Sequence, residues 1–369
     1  MSTSRRSVLL VVEQLRRTVP GGIGTYARGL LSGLRAVETD DTPTIELYAS
    51  RAAPDPLAHL GWPVRTSKLG SRILTRAWDI GVSRAPGGFQ VVHGVSLAAP
   101  PPSSGERLVL TVHDLAWRGH PDSTTRRGRR WHEGALRRAL RRADAFVVPS
   151  NTVRDDLLGA GALASRVSVI AEGADHLPAP DRPGATAMLR SHGVEGPYLL
   201  TVSTLEPRKN LRRLVEAYRM ARPELPGAMP MVVAGPTGWG DSGLDSHDVE
   251  GVVPVGHVGG ATLSALYAGS TAFAYVPVAE GFGLPPLEAM VAGAPVVASS
   301  AVPSVTEAAD PGALVVDPTD TQAIAAGLVR VATDETLADS LRAAGSVLAR
   351  ARTWTSAARS HIDLWQRLA

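Results

Sequence analysis

The 369-residue chain has no cysteine at all. Disulfides, a catalytic thiol and thiolate-bound zinc are therefore excluded, and a cytoplasmic protein is the natural expectation. Other metal signatures are missing as well. No two aspartates stand with a single residue between them, so there is no Asp-x-Asp clamp for a metal diphosphate. The ten histidines include no His-x3-His or His-Glu-x2-His spacing, and no metal is expected. No apolar run approaches the length that spans a bilayer. Arg5 and Arg6 precede the apolar stretch from Val8 to Val12 as they would in a secretion signal. Glu13 and the Arg16-Arg17 pair break that stretch where a signal core would continue, so it reads as a first buried strand.

Charge is nearly balanced, at +3, but unevenly spread. Eight arginines lie between Arg126 and Arg142 (RRGRRWHEGALRRALRR). No aromatic interleaving or binding module accompanies them, so nucleic acid is not an expected partner. Two readings stand: a solvated helix face, or a surface that approaches anionic lipid or a phosphorylated acceptor.

At 44% hydrophobic and 20% charged residues the composition is that of an ordinary globular chain, and its length exceeds what one core usually supports. Twelve short apolar runs rich in Val and Ile alternate with helical patterns, among them VLLVV (8–12), LVLTV (108–112), YLLTV (198–202) and AFAYV (272–276). Such runs imply parallel sheets covered on both faces, and twelve strands are too many for one. The proline-rich LPAPDRPG (177–184) makes the expected break between two doubly wound halves, 1–180 and 184–352.

After YLLTV a short loop ends in Arg208 and Lys209, and Asn210 then reads as the N-cap of a helix with Leu211, Leu214, Val215 and Tyr218 on one face. Free N–H groups, a helix dipole and two cations meet at the carboxyl edge of a parallel sheet, which suits a phosphate. AFAYV leads in the same way into AEGFGLPPLEAM (279–290). There Gly281 and Gly283 permit close approach or positive φ, and Pro285 and Pro286 fit the start of a helix. Glu280 stands past the strand end and Glu288 within the first turn or so of that helix. The pair could be a glycosidase acid and base, but it lies beside an anion-binding loop. The alternative is that one carboxylate holds sugar hydroxyls and the other a ribose diol.

Near the N-terminus, Gly22, Gly24 and Ala27 match G-x-G-x-x-A, but EQLRRTVP (13–20) separates them from the strand and no acid ends the second strand. A glycine-led helix start near a diphosphate survives this objection, whereas a NAD-dependent oxidoreductase becomes a weaker alternative. His113 and His93 both end strands, either as cleft-facing groups or as histidines that only cap their strands.

ProGlyGlyIleGly (20–24), HisAspLeu (113–115), ValProSer (148–150), GluProArgLysAsn (206–210) and GluGlyPheGlyLeuProProLeuGlu (280–288) together resemble the retaining glycosyltransferases of the family 4 group, along nearly the whole chain. The resemblance implies a GT-B fold, α/β throughout, with two Rossmann-like domains facing across a cleft. It also implies a final segment, 353–369, that crosses back to the first domain. The activity implied is metal-independent transfer of a hexose, mannose-type favoured, from a nucleotide-diphospho-sugar with retention. The acceptor would be a glycan, a lipid-linked or a small molecule, and no cofactor is needed. By the same resemblance Arg208 and Lys209 grip the diphosphate, and Gly21 and Gly22 close on it. Glu280 holds the sugar with the backbone of Phe282, Gly283 and Leu284, and Glu288 holds the ribose. Gly256, His257 and Val258 lie against the base, while His113 contacts the transferred sugar. Ser203 stands where the family has a strand-end glycine, and Pro303-Ser304-Val305 where it often has Pro-Glu-Val. An inactive nucleotide-sugar-binding protein is a further alternative.

Overall fold

The computed structural model describes residues 6–121, 124–203, 206–235 and 249–369. Arg5, and Thr204 and Leu205 of the loop before Arg208, lie outside the described residues. The chain divides into two units. The first comprises Met1–Leu115, Thr124–Gly173 and Trp354–Ala369, and the second Ala116–Ser123 and Ala174–Thr353.

The first unit holds seven parallel strands: β1 (Ser7–Val11), β2 (Thr44–Arg51), β3 (Val64–Gly70), β4 (Val91–Gly94), β5 (Arg107–Thr111), β6 (Ala145–Val148) and β7 (Val167–Val169). Their order is β3-β2-β1-β4-β5-β6-β7. The second unit holds six parallel strands: β8 (Leu199–Val202), β9 (Met231–Ala234), β10 (Val252–Gly256), β11 (Ala272–Tyr275), β12 (Val296–Ser299) and β13 (Ala313–Val316). Their order is β10-β9-β8-β11-β12-β13. Central strands such as β4, β6 and β11 are buried along their whole length, which is why they read as unbroken apolar runs. The strand β3, VRTSKLG, is absent from the sequence reading. It pairs only on one side, with β2, and its largely exposed residues leave no apolar run to find.

In each sheet the chain reverses its direction of growth, between β1 and β4 and again between β8 and β11. The loops leaving such neighbours part to opposite faces and leave a crevice at their carboxyl ends.

The changeover between units falls at Gly173 and Ala174, before the proline-rich segment where the sequence reading puts it. The reason is local bonding. The Ala174 N–H bonds the Arg352 carbonyl and the Asp181 N–H bonds Ala261, so this stretch is built into the second unit.

The last helix, Trp354–Leu368, packs within the first unit against the helix Gly21–Ala36. Two glycines let it approach: a Cβ on Gly29 would lie 2.1 Å from the Trp354 ring, and one on Gly33 2.1 Å from the Trp354 carbonyl oxygen. Beneath this contact runs a buried hydrogen-bond chain whose direction is fixed at both ends. The Trp365 indole can only donate, here to His93 Nδ1 (3.1 Å), and His93 Nε2 donates to Thr111 Oγ1 (2.9 Å). Thr111 then donates to the Tyr26 hydroxyl (3.0 Å), Tyr26 to His361 Nε2 (2.8 Å), and His361 Nδ1 to the Ala357 carbonyl (2.7 Å). Each histidine carries one proton and accepts one bond, so both are neutral. Burial pushes His93 well below the ordinary histidine range and His361 down to about 4.

Candidate functional site

In the second unit the loops leaving β8 and β11 are tied together at the reversal point. The Val278 N–H donates to the Arg208 carbonyl (2.9 Å). Asn210 adopts a left-handed conformation, φ 61°, and its side chain does not cap the helix Leu211–Ala221. Asn210 thus stands at the expected N-cap position without making the side-chain cap. Its amide instead donates to the carbonyls of Val276 (2.9 Å) and Pro318 (2.7 Å), joining the loops that follow β8, β11 and β13. Two backbone acceptors, of which the Pro318 carbonyl also accepts from Arg213, outcompete the helix end for the side chain.

This places Arg208, Lys209 and Glu280 side by side. Glu280 Oε2 accepts from Lys209 Nζ, from Arg208 Nη1 (3.2 Å) and from the Tyr275 hydroxyl (2.5 Å). Lys209 Nζ also donates to the Tyr275 oxygen (2.7 Å), so that phenol accepts from the lysine and must pass its own proton to the glutamate. Arg208 Nε reaches Glu206 (2.9 Å). Burial works against a charged Glu280, but Lys209 and Arg208 outweigh it and hold the carboxyl far below the usual carboxylate range. Burial lowers Lys209, with the Glu280 charge opposing, and raises Tyr275 well above the ordinary phenol. The cluster is thus ionised, partly buried and internally compensated.

Beyond Glu280 the backbone follows the glycine reading at one position. Gly283 has φ 108° and precedes the helix Leu284–Val291, in which Pro285 stands at the second position and needs no donor. Ser304, one of the residues that departs from the family pattern, is fully buried and donates to the Glu280 carbonyl (2.6 Å). It holds the bend from which the glutamate hangs. Glu288 is 7% exposed and accepts from the Tyr267 hydroxyl at Oε2 (2.9 Å), while His176 Nε2 lies 3.0 Å from Oε1. Each carboxylate oxygen retains a second lone pair for a ligand.

Phe282 is buried beside Glu280, and Leu284 opens the following helix. Gly256, with φ 69°, ends β10, and His257 is exposed just after it with Val258 half-buried. These three stand at the carboxyl edge of the same sheet as Arg208 and Glu280, but two strands away from β8. Gly21, Gly22 and His113 belong to the first unit. Gly21 (φ 60°) and Gly22 are exposed at the N-terminus of their helix, with nothing within 4 Å of where a Cβ would be. His113 has both ring nitrogens against acceptors: Nε2 donates to the Val95 carbonyl (2.9 Å), and Nδ1 lies 3.4 Å from buried Glu172. Burial opposes its charge, yet Glu172 outweighs that and raises the imidazole above its ordinary range.

Sequence reasoning missed Tyr275, Tyr267, His176 and Glu172. The two tyrosines lie inside apolar patterns and read as core. Their hydroxyl contacts depend on which residues the fold brings opposite them, and no local signal carries that.

Comparison with known proteins follows the same division. The family described as Glycosyltransferase Family 4 matches residues 20–176, and that described as Glycosyl transferases group 1 matches residues 190–347. The chain is 30% identical to O-antigen chain mannosyltransferase B of Escherichia coli over 271 residues, 71% of each chain. It is 32% identical to a serotype-specific mannosyltransferase WbdA of Escherichia coli over 181 residues, 46% of this chain and 22% of that one. HepE from Anabaena, solved in complex with UDP and glucose, superposes with a TM-score of 0.73 at 17% identity, covering 98% of this chain and all of that one. A sucrose-phosphate synthase from Thermosynechococcus elongatus gives 0.77 at 19% identity, covering 99% of both. These structural likenesses show a GT-B fold.

Proposed function

Because the chain belongs to the group 1 glycosyl transferases, we propose that it moves a hexose, mannose-type favoured, from a nucleotide-diphospho-sugar to an acceptor hydroxyl, with retention and without a metal. The observation that carries this reading is the meeting of Arg208, Lys209 and Glu280 at the β8/β11 reversal point. Two cations and the N-terminal end of a helix offer a diphosphate its counter-charge without a metal ion. With no donor bound, Glu280 and Glu206 together balance those cations. A diphosphate would take the place of Glu280 against Arg208 and Lys209, leaving the carboxylate to receive sugar hydroxyls. Exchanging one anion for another avoids burying either cation uncompensated.

Glu288 would hold the ribose diol with its remaining lone pairs. The 256–258 loop would meet the base. The leaving diphosphate itself would help deprotonate an acceptor arriving on the same face, and the fixed cations lower the cost of its developing charge. His113, whose charged form Glu172 favours, would act on the transferred sugar as an electrostatic group, since both nitrogens already face acceptors. The mannosyltransferase relatives support the mannose-type sugar, and the HepE complex supports a nucleotide donor.

Titration calorimetry with GDP- and UDP-hexoses, followed by NMR assignment of the product's anomeric proton, tests the reading. Donor binding and a retained anomer are expected, in EDTA as in its absence. An inverted product refutes retention, and activity restored only by added Mg²⁺ or Mn²⁺ refutes metal independence. Binding without turnover in the presence of every acceptor class leaves an inactive nucleotide-sugar-binding protein.

A further inference from the structure

At the carboxyl ends of the first unit's strands, three loops meet on one imidazole. His113 stands just past β5, Val95 just past β4, and Glu172 just past β7. Because β6 separates β5 from β7, the loop carrying Glu172 has to cross the end of β6 to arrive there. Glu172 is only 5% exposed, and among the described residues the basic group paired with it is His113. The Tyr26 ring meets the imidazole edge-on, with centroids 4.8 Å apart. Its hydroxyl is fixed between Thr111 and His361, so that ring is locked in turn. The 16% of the His113 side chain that stays exposed is what a ligand could touch.

The two acceptors decide where the protons are. A carbonyl oxygen can only accept, so Nε2 must carry a hydrogen toward Val95 (2.9 Å). Were Nδ1 then bare, its lone pair would face the buried Glu172 carboxylate at 3.4 Å. Moving the single hydrogen to Nδ1 would set the other lone pair against the carbonyl. Only the doubly protonated ring satisfies both neighbours. Burial alone would discharge it, but Glu172 outweighs burial, and the Val95 carbonyl and Asp114 act in the same direction as Glu172. Of the other titratable neighbours, His93 is kept neutral by burial and Tyr26 is kept protonated by it, so neither competes for the charge. The same unit thus holds His93 neutral and His113 charged, and the difference between them is one carboxylate.

We propose that Glu172 is a positioning residue for the transfer: it holds the second proton of His113, and hexose transfer ends at the pH where that proton leaves. This rests on the reading of His113 as the group that meets the transferred sugar. The pair suits a sugar that gains positive charge as it departs, because imidazolium and carboxylate together are neutral. A lone imidazolium would oppose that charge, and a neutral imidazole would be pushed from its place by Glu172.

Nitrogen-15 NMR of the histidine-labelled full chain reads the proton directly, with the His113 signals assigned by their loss in His113→Gln. Wild-type His113 should stay doubly protonated above the ordinary histidine range. Glu172→Gln, of equal size but uncharged, should release the proton at lower pH. Glu172→Asp keeps the charge and should recover much of the difference. In kinetics, the alkaline limb of the kcat profile should move with the titration. Glu172→Gln should lose about tenfold or more in kcat on that side, with donor KM little changed. A merely structural glutamate would lower the melting temperature of Glu172→Gln and leave both titration and limb in place, which overturns the proposal. A shifted titration with an unmoved limb overturns it equally. A titration that shifts in a chain transferring no hexose overturns the transferase reading, and with it the role in transfer, but not the proton held by Glu172.

Discussion

At Glu280 three donors converge on one carboxylate oxygen, and this makes the two motif glutamates unequal. Glu280 pairs directly with both Arg208 and Lys209, whereas Glu288 is held by an uncharged phenol and lies against a histidine. Glu280→Gln keeps the size and one acceptor but removes the counter-charge. It should depress kcat by about tenfold or more while free nucleotide diphosphate binds as well or better, since the cations are released to it. Glu288→Gln should instead raise donor KM with a smaller effect on kcat, because the ribose proposed for it would be held alike in ground and transition states. Isothermal titration of the nucleotide beside steady-state kinetics distinguishes them, and weakened nucleotide binding by Glu280→Gln alone reverses the placement. Tyr275→Phe removes the phenol that both accepts from Lys209 and donates to Glu280. It should cost about 1–3 kcal/mol of combined stability and transition-state binding, read from denaturant midpoints and kcat/KM.

Two elements meet in close contact where Gly29 and Gly33 of the first long helix receive Trp354. Gly33→Ala would drive a methyl group into a backbone carbonyl, which cannot rotate aside as a side chain can. It should destabilise the protein by about 1–3 kcal/mol or more, and Gly29→Ala by a comparable amount through the indole ring. Gly22→Ala, with open space at its Cβ, should leave the melting temperature nearly unchanged. Differential scanning fluorimetry of the three variants checks the contrast. If all three melt alike, the last helix is not seated on this pair of glycines.

For the molecule as a whole, acid stability should be governed by the neutral histidine chain of the first unit. His361 is lowered to about 4 by burial, against 6.5 for an exposed histidine. Between these values the unfolded chain binds the proton and the folded chain does not, so the stabilisation is complete above about 6.5 and is lost as pH falls toward 4. One such group amounts to at most about 3 kcal/mol, and His93 acts in the same direction. The denaturant midpoint should therefore fall across this window, and His361→Gln should flatten the slope. An equally steep slope in that variant would place the acid sensitivity elsewhere. Among the described residues no helix is long and apolar enough to cross a membrane.

Much of this protein is written locally. Unbroken apolar runs announce buried parallel strands because a strand covered on both faces has no polar side to show. Among the described residues twelve of the thirteen strands were legible in that way, and the exception, β3, is an edge strand whose exposed residues carry no such run. The glycine and double proline after Glu280 likewise announced a left-handed turn and a helix start, since glycine and proline act on the backbone at the position where they stand. What surrounds each carboxylate was decided only by the tertiary structure. Lys209 and Glu280 are 71 residues apart and His93 and Trp365 272 apart, and their meeting depends on strand order and on where the last helix returns. Asn210 makes the point within a single residue. Its sequence neighbours promise a helix cap, but the carbonyls of Val276 and Pro318, brought to it by two other strands, claim its amide. Hydrogen-bond partners are chosen by distance in space, and distance in space is the one quantity that spacing along a chain does not hold.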